Sequence, residues 1–411
     1  MRRASVFALV GAVVLSVGDA RAQAREPLCR NVETRRISAN ASPAQNLGES
    51  VLARPLLGGA RGDARFVLVW REWRSERDGG SVARIARVGE DLRRVGAVGT
   101  LAVSGRAGEV VPLAIAALPD KTLVFAAVGS AFFALSFDAA GAQSAARELV
   151  ALPDAPEGQP RNRVVWATAT ERADGAVLLA GALDGSVRAY RFDRQGDKTA
   201  ETTWTQRVGG AMRLLPTGEG GPVAALLHRP LPGVGPNGEE PAVQMLVTLD
   251  DRLLPVSAPE RTGFAQYPFS AVARGSNVEL AQWVGTRGVA IGSLPVSARR
   301  VALGNPRLWF AQPPFLGGAR YAAGLDARDG VSYALVIGDR SGNSVESHLA
   351  WIPPSGEPML RRNVVPVFGT VLGAPAMLPA ADGFVAVVAH NDESGFALDA
   401  YHVRCELVRR E

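Results

Sequence analysis

The chain has 411 residues, 47% of them hydrophobic and 21% charged, so it is long enough for a large core and too apolar to be disordered by composition. A net charge of +5, with no basic stripe interleaved with aromatics, argues against a nucleic-acid partner. The basic residues are almost all Arg, with Lys only at positions 121 and 198, which is the mark of a GC-rich genome more than of a phosphate site.

Residues 1–24 read as a secretory signal. Arg2 and Arg3 supply the positive start, and Val6 to Val17 is an uncharged run of 12 residues, short for a membrane span. Ala20-Arg21-Ala22 and Ala22-Gln23-Ala24 both fit a small-x-small cleavage site. Cleavage after residue 24 takes away three Arg and one Asp and leaves a net charge of +3. No later stretch reaches the ~18 apolar residues of a spanning helix. Export to the periplasm or the outside of a bacterial cell is expected.

The next segment, residues 25–37, reads as a lone strand, and residues 38–60 as a linker, small and polar with the run Ser38-Ala39-Asn40-Ala41-Ser42-Pro43. Residues 61–411 form the main domain. They contain short apolar runs punctuated by Gly, Pro and Asp, with no helical periodicity as long as 12 residues. Phe66 to Trp70, Val82 to Val88 and Val95 to Val103 make a first unit. Later units start near Leu113, Val164, Met212, Phe269 and Tyr321, each with four runs; the fourth unit takes Leu253 to Val256 as its last strand. Ala376 to Leu378, Phe384 to Ala389 and Phe396 to Arg404 supply three strands of a last unit.

Two units carry a visible echo. Leu118-Pro119-Asp120-Lys121 precedes two apolar runs and then Phe137-Asp138-Ala139-Ala140-Gly141. Arg172-Ala173-Asp174-Gly175 precedes two more and then Phe192-Asp193-Arg194-Gln195-Gly196. The gap is 18 residues from Asp120 to Asp138 and 19 from Asp174 to Asp193. A fixed period of short strands joined by Asp/Gly turns predicts an all-β fold, a β-propeller of seven four-stranded blades at ~50 residues each. The last unit lacks a strand, and the lone N-terminal strand is the natural one to complete it. The two cysteines, Cys29 and Cys405, then fall in the same blade, so a disulfide between them is expected in an oxidising compartment. Such a bridge would remove about 4 to 6 kcal/mol of unfolded-state freedom in the chain-entropy model.

The stretch Leu183-Asp184-Gly185-Ser186-Val187-Arg188-Ala189-Tyr190-Arg191-Phe192-Asp193 through Trp204 resembles the repeat of quinoprotein-like and WD40-like propellers. Ser130 to Leu149 matches it in part. The resemblance implies fold more than activity. Trp70, Trp73, Trp166, Trp204, Trp283, Trp309 and Trp351 lack the regular spacing of quinoprotein dehydrogenases, so it implies no quinone cofactor.

No catalytic motif stands out. The histidines are His228, His348, His390 and His402, none at the spacing of a helical zinc site. There is no Gly-x-Ser-x-Gly elbow and no phosphate-cradling loop. His390-Asn391-Asp392-Glu393 is the most polar cluster at a strand end. It reads first as a hairpin turn with Gly395. In a catalytic reading, Asp392 and Glu393 would be oxygen ligands for calcium, or His390 a general base. Asp326 and Asp329 read as another turn. Arg163, Arg213 and Arg320 stand before or within the first strand of three units. First strands line a propeller's channel, so these arginines form a possible collar for an anion.

The expectation is therefore an exported, monomeric, non-catalytic propeller without a cofactor, binding a protein or glycan at one face. The insert from Pro230 to Pro241 is its most distinctive contact loop. The alternative is a hydrolase or lyase acting on sugars or lactones in the channel, with calcium.

Overall fold

The structure is a computed structural model. It describes residues 25–38, 55–59, 66–73, 81–106, 108–152, 163–206, 208, 210–216, 223–230, 242–256, 260–261, 268–274, 277–283, 289–295, 307–308, 319–326, 332–339, 345–352, 359–362, 364–367, 369–371, 375–380, 382–392 and 395–409. Residues 1–24, read above as a signal, and most of the Pro230–Pro241 insert lie outside them.

All the described elements are strands. After β1 (Arg25–Ser38) come consecutive antiparallel meanders. The first is β2 (Leu56–Gly59), β3 (Phe66–Trp73), β4 (Ser81–Val88) and β5 (Arg94–Thr100). The second is β6 (Val110–Ala117), β7 (Lys121–Val128), β8 (Ala131–Asp138) and β9 (Gln143–Ala151). The third is β10 (Val164–Arg172), β11 (Gly175–Ala182), β12 (Val187–Asp193) and β13 (Lys198–Trp204). Next is β14 (Gly210–Pro216), β15 (Val223–Pro230), β16 (Ala242–Leu249) and β17 (Glu260–Arg261). Then follow β18 (Pro268–Arg274), β19 (Asn277–Trp283), β20 (Val289–Pro295) and β21 (Arg307–Leu308). The sixth is β22 (Ala319–Asp326), β23 (Ser332–Asp339), β24 (Val345–Ile352) and β25 (Met359–Arg362). The last strands are β26 (Thr370–Val371), β27 (Ala376–Ala380), β28 (Gly383–Asp392) and β29 (Gly395–Arg409), and β1 pairs with β29 to complete their sheet.

The sheets stand in a β-propeller arrangement. The first strand of each is the inner one, and neighbouring inner strands touch in order: β2 beside β6, then β10, β14, β18, β22 and β27, which returns to β2. The burial of the strands follows this radial layout. Every position of β11 is buried, because a second strand has a neighbouring sheet on both faces. β9, the outermost strand of its sheet, is exposed at most positions. The core is divided among the seams between sheets. Leu123, Phe125, Leu178 and Tyr190 fill the seam between the β6–β9 and β10–β13 sheets. Val177, Leu179, Leu227 and Leu249 fill the next, and Phe66, Leu68, Val385 and Leu398 pack the closing sheet against the first.

Two strand assignments from the sequence need correction. Leu56–Gly59, inside the stretch read as linker, is an inner strand; four residues with two glycines carry too little apolar pattern to be seen. The last strand of the β14–β17 sheet is Glu260–Arg261, and Leu253 belongs to the turn before it.

Four consecutive turns between third and fourth strands share one hydrogen-bond pattern. Gly89, Asp138, Asp193 and Asp250 each donate their backbone N–H to the carbonyl four residues on. Each also accepts from the N–H three residues on: Leu92, Gly141, Gly196 and Leu253. Asp138 and Asp250 add side-chain bonds to two further N–H groups each. The fourth turn residue has positive φ in every case: 56° at Leu92, 86° at Gly141, 79° at Gly196 and 64° at Leu253.

A second regularity lies at the other end. Five successive inner strands carry a β-bulge near their start. The register slips between Pro112 and Ala114, Val164 and Trp166, Ala211 and Arg213, Pro268 and Ser270, and Ala319 and Tyr321. In the closing sheet the inner strand is broken at this level: Val371 pairs with His390, and pairing resumes at Ala376 with Val387.

Candidate functional site

Each sheet is an antiparallel meander led by its inner strand. The start of the inner strand and the turn between second and third strands therefore lie on one face, called here the upper face. Contacts across the seams agree: Ser38, at the end of β1, donates to Glu72 near the end of β3 at 3.1 Å, and Arg71 of β3 pairs with Glu109 just before β6.

The candidate residues gather on this face. Asp392 pairs with Gly395 and closes the β28–β29 hairpin, in keeping with the turn reading. Arg163 immediately precedes β10, Arg213 follows the bulge of β14, and Arg320 is the extra residue in the bulge of β22. Pro230 pairs with Ala242, so the insert leaves and re-enters at the upper end of β15 and β16. Arg163 is exposed, and its guanidinium has no described ion-pair partner. The side chains of Arg213, Arg320 and Asp392 lie outside the described residues, as does Glu393.

His390 is the exception to a surface reading. It lies inside β28, and its ring is 1% exposed in the seam. Its Nε2 is 2.8 Å from Oδ2 of Asp399, which sits on the neighbouring strand β29. Arg36 of β1 donates its Nε to Oδ1 of the same carboxylate at 3.0 Å. Burial pushes the Asp399 carboxyl up, but the bonds from His390 and Arg36 outweigh it and hold the group below the usual range. Asp399 also reinforces the upward push that burial gives the Tyr401 phenol. The chain Arg36–Asp399–His390 thus spans three strands of the closing sheet. Among the described residues, His390 Nδ1 is buried with no hydrogen-bond partner. Enclosed in this way, the ring braces the sheet between β28 and β29.

A second set lies at the lower end of the same sheet. Asp382 accepts from Arg404 Nε at 2.8 Å and lies 2.9 Å from His402 Nε2. Burial raises this carboxyl, yet the bonds from His402 and Arg404 pull it down to about 2. The sequence drew attention to none of Arg36, Asp382, Asp399 or Arg404. Arg36 reaches Asp399 through the register of β1 on β29, which exists only once the chain has closed, whereas Asp382 meets His402 and Arg404 through the register of the β28–β29 hairpin.

Cys29 and Cys405 are bonded and lie directly opposite each other in that register. Among the described residues, no group of three or more His, Cys, Asp or Glu side chains is arranged to hold a metal ion, and no helix is long and apolar enough to cross a membrane. A shallow open depression lies on the lower face beside Arg87, Lys121 and Asp138, away from the candidate residues.

No protein-family profile and no curated protein matches the chain. Solved structures do. The chain is similar to BBS1N in its crystal structure with ARL6DN, at a TM-score of 0.51 and 10% identity over 91% of this chain and 96% of that one. A second crystal of that complex gives 0.51 and 11%. A protein of unknown function from Dyadobacter fermentans gives 0.49 and 11%, covering 92% of this chain and 99% of that one. The likeness to BBS1N is one of fold.

Proposed function

We propose that this protein is an exported, non-catalytic binding scaffold, a single ring of seven blades that engages a protein partner through its upper face. The observation that carries the reading is the gathering of Arg163, Arg213, Arg320 and the ends of the Pro230–Pro241 insert on one face of a rigid ring. The unbroken succession of inner strands from β2 round to β27 supports the blade count. The solved structure of BBS1N with ARL6DN is that of a similar fold beside a partner chain, which accords with a binding role. The leader-like residues 1–24 and the disulfide support export to the periplasm or beyond.

The test joins two measurements. N-terminal sequencing of protein from an exporting host should begin at Gln23 or Arg25. Cross-linking mass spectrometry in the native host should find a partner at upper-face peptides, and replacing residues 231–241 with Gly-Ser should weaken that link without lowering the melting temperature. A retained leader would overturn export. Cross-links confined to the lower face would overturn the assignment of the binding surface.

A further inference from the structure

The two halves of β1 are held to the ring by different means. The upper half, residues 33–38, is anchored three times. Arg36 stands opposite Asp399 and donates to both of its oxygens, at 3.0 and 3.3 Å. Ile37 is buried with Leu398 in the seam against the first sheet. Ser38 is tied across that seam to Glu72. The lower half, residues 25–31, is held otherwise. Leu28 is 42% exposed. Arg30 stands directly opposite Arg404, a like-charged pair that works against the ladder. Its contact with Glu406, at 3.6 Å, joins two side chains that are each more than half exposed, so it contributes little. A bulge at Val32 separates the two halves. Asn31 donates to Thr34 across it, but its Oδ1 is buried with no hydrogen-bond partner among the described residues. From Leu28 to Asn31, only Cys29 is fully buried. Even there the strands exchange no backbone bond, because Cys405 turns its N–H away from β1 and donates to the carbonyl of Asp382. The disulfide is thus the main fastening of the lower half.

We infer that residues 25–31 form a redox-sensitive strap: the Cys29–Cys405 bond fastens it, and reduction releases it while the upper half of β1 keeps the ring shut. The reductant is a dithiol. Its thiolate attacks one cysteine sulfur, the bond between Cys29 and Cys405 breaks, and a second thiolate of the reductant displaces the first mixed disulfide. Two electrons and two protons pass to the cysteines, and the reductant leaves as its own disulfide. A segment with few buried contacts and a water-facing ladder belongs to the least stable part of a fold, so it opens locally once the bond is gone. Opening bares the backbone donors and acceptors of β29 over residues 403–409, a free edge that can take an added strand.

The experiment is residue-resolved hydrogen–deuterium exchange on the oxidised protein and on protein held in dithiothreitol without denaturant, with alkylation and mass counting the free thiols. Both thiols should become free in the native protein. Exchange at residues 28–31 should then speed up about tenfold or more, while residues 34–38 and β28 keep their protection. Cys29→Ser should show the same pattern without reductant. Arg30→Glu, which makes the pair with Arg404 complementary, should return part of the protection to the reduced strap. Arg36→Gln should speed exchange at residues 34–38 about tenfold even in the oxidised protein. Equal acceleration along the whole of β1 would show that the strand opens as one piece and would overturn the strap. So would unchanged exchange after full reduction, or thiols that dithiothreitol frees only in denaturant.

Discussion

Leu253 holds, in the turn between β16 and β17, the place that Gly196 holds one sheet earlier. Both close the same hydrogen-bonded turn and both have positive φ, 64° and 79°. Glycine adopts that conformation freely; leucine does so at a cost of about 1–2 kcal/mol. Leu253 is 1% exposed and packs with Trp204, Val223 and Leu249, and burial of that kind outweighs the strain. Leu253→Gly should therefore destabilise the protein by a net of about 1–3 kcal/mol, although the backbone prefers it. Urea unfolding checks this, and an unchanged or raised midpoint would show that the buried side chain contributes little.

The same pair explains what was legible in the sequence. The echo at Asp138–Gly141 and Asp193–Gly196 was visible because those turns keep both Asp and Gly. Its continuation was hidden at Gly89–Leu92, which has lost the Asp and the Gly, and at Asp250–Leu253, which has lost the Gly, although the backbone bonds are unchanged. The strand order, the closing role of β1 and the Cys29–Cys405 bridge were readable from apolar runs and end placement. The bulges were not, because a slip of one residue leaves the local apolar pattern intact and shows only against the partner strand. His390 looked like a turn residue because its neighbours Asn391 and Asp392 are polar, whereas its burial depends on the adjoining sheet.

Removal of the disulfide should cost about 2–5 kcal/mol. Cys29→Ser and Cys405→Ser should give the same loss, and a reducing agent should lower the parent protein to their level while leaving the variants unmoved. Chemical unfolding with and without reductant reads this directly. A parent protein indifferent to reductant would show that the β1–β29 ladder holds without the bridge.

Asp382 has a folded pKa of about 2 against an ordinary 3.8. Depressed in the folded state, it contributes stability above pH ~4, and that contribution fades as the pH falls through about 2. Its side chain is 35% exposed, so solvent screening limits the effect to under about 1 kcal/mol. Asp382→Asn should be less stable than the parent at pH 6, and the gap should shrink as the pH falls toward 2 and below. A gap of constant size across that range would rule out the ion pairs with Arg404 and His402 as its source.

Gly181 admits no side chain. A Cβ there would lie 2.0–2.3 Å from the Cε2, Cζ2 and Nε1 atoms of Trp166 on the paired strand. Gly181→Ala should destabilise by about 2–3 kcal/mol, and adding Trp166→Phe should recover part of the loss. A double-mutant cycle by calorimetry gives the coupling, and strict additivity would mean that the indole is not the obstacle.

The pairing of β1 with β29 also has a consequence in time. β1 leaves the ribosome long before its partner strand, which lies 376 positions later at the cysteines. At ordinary synthesis rates β1 waits roughly 20 to 75 s for a neighbour. Until then the closing sheet lacks its outermost strand, and the seam it shares with the first sheet can be opened from the edge. A chain cut short before β29 keeps its other sheets and loses its circle, so integrity of the whole polypeptide is written into whether the ring can shut.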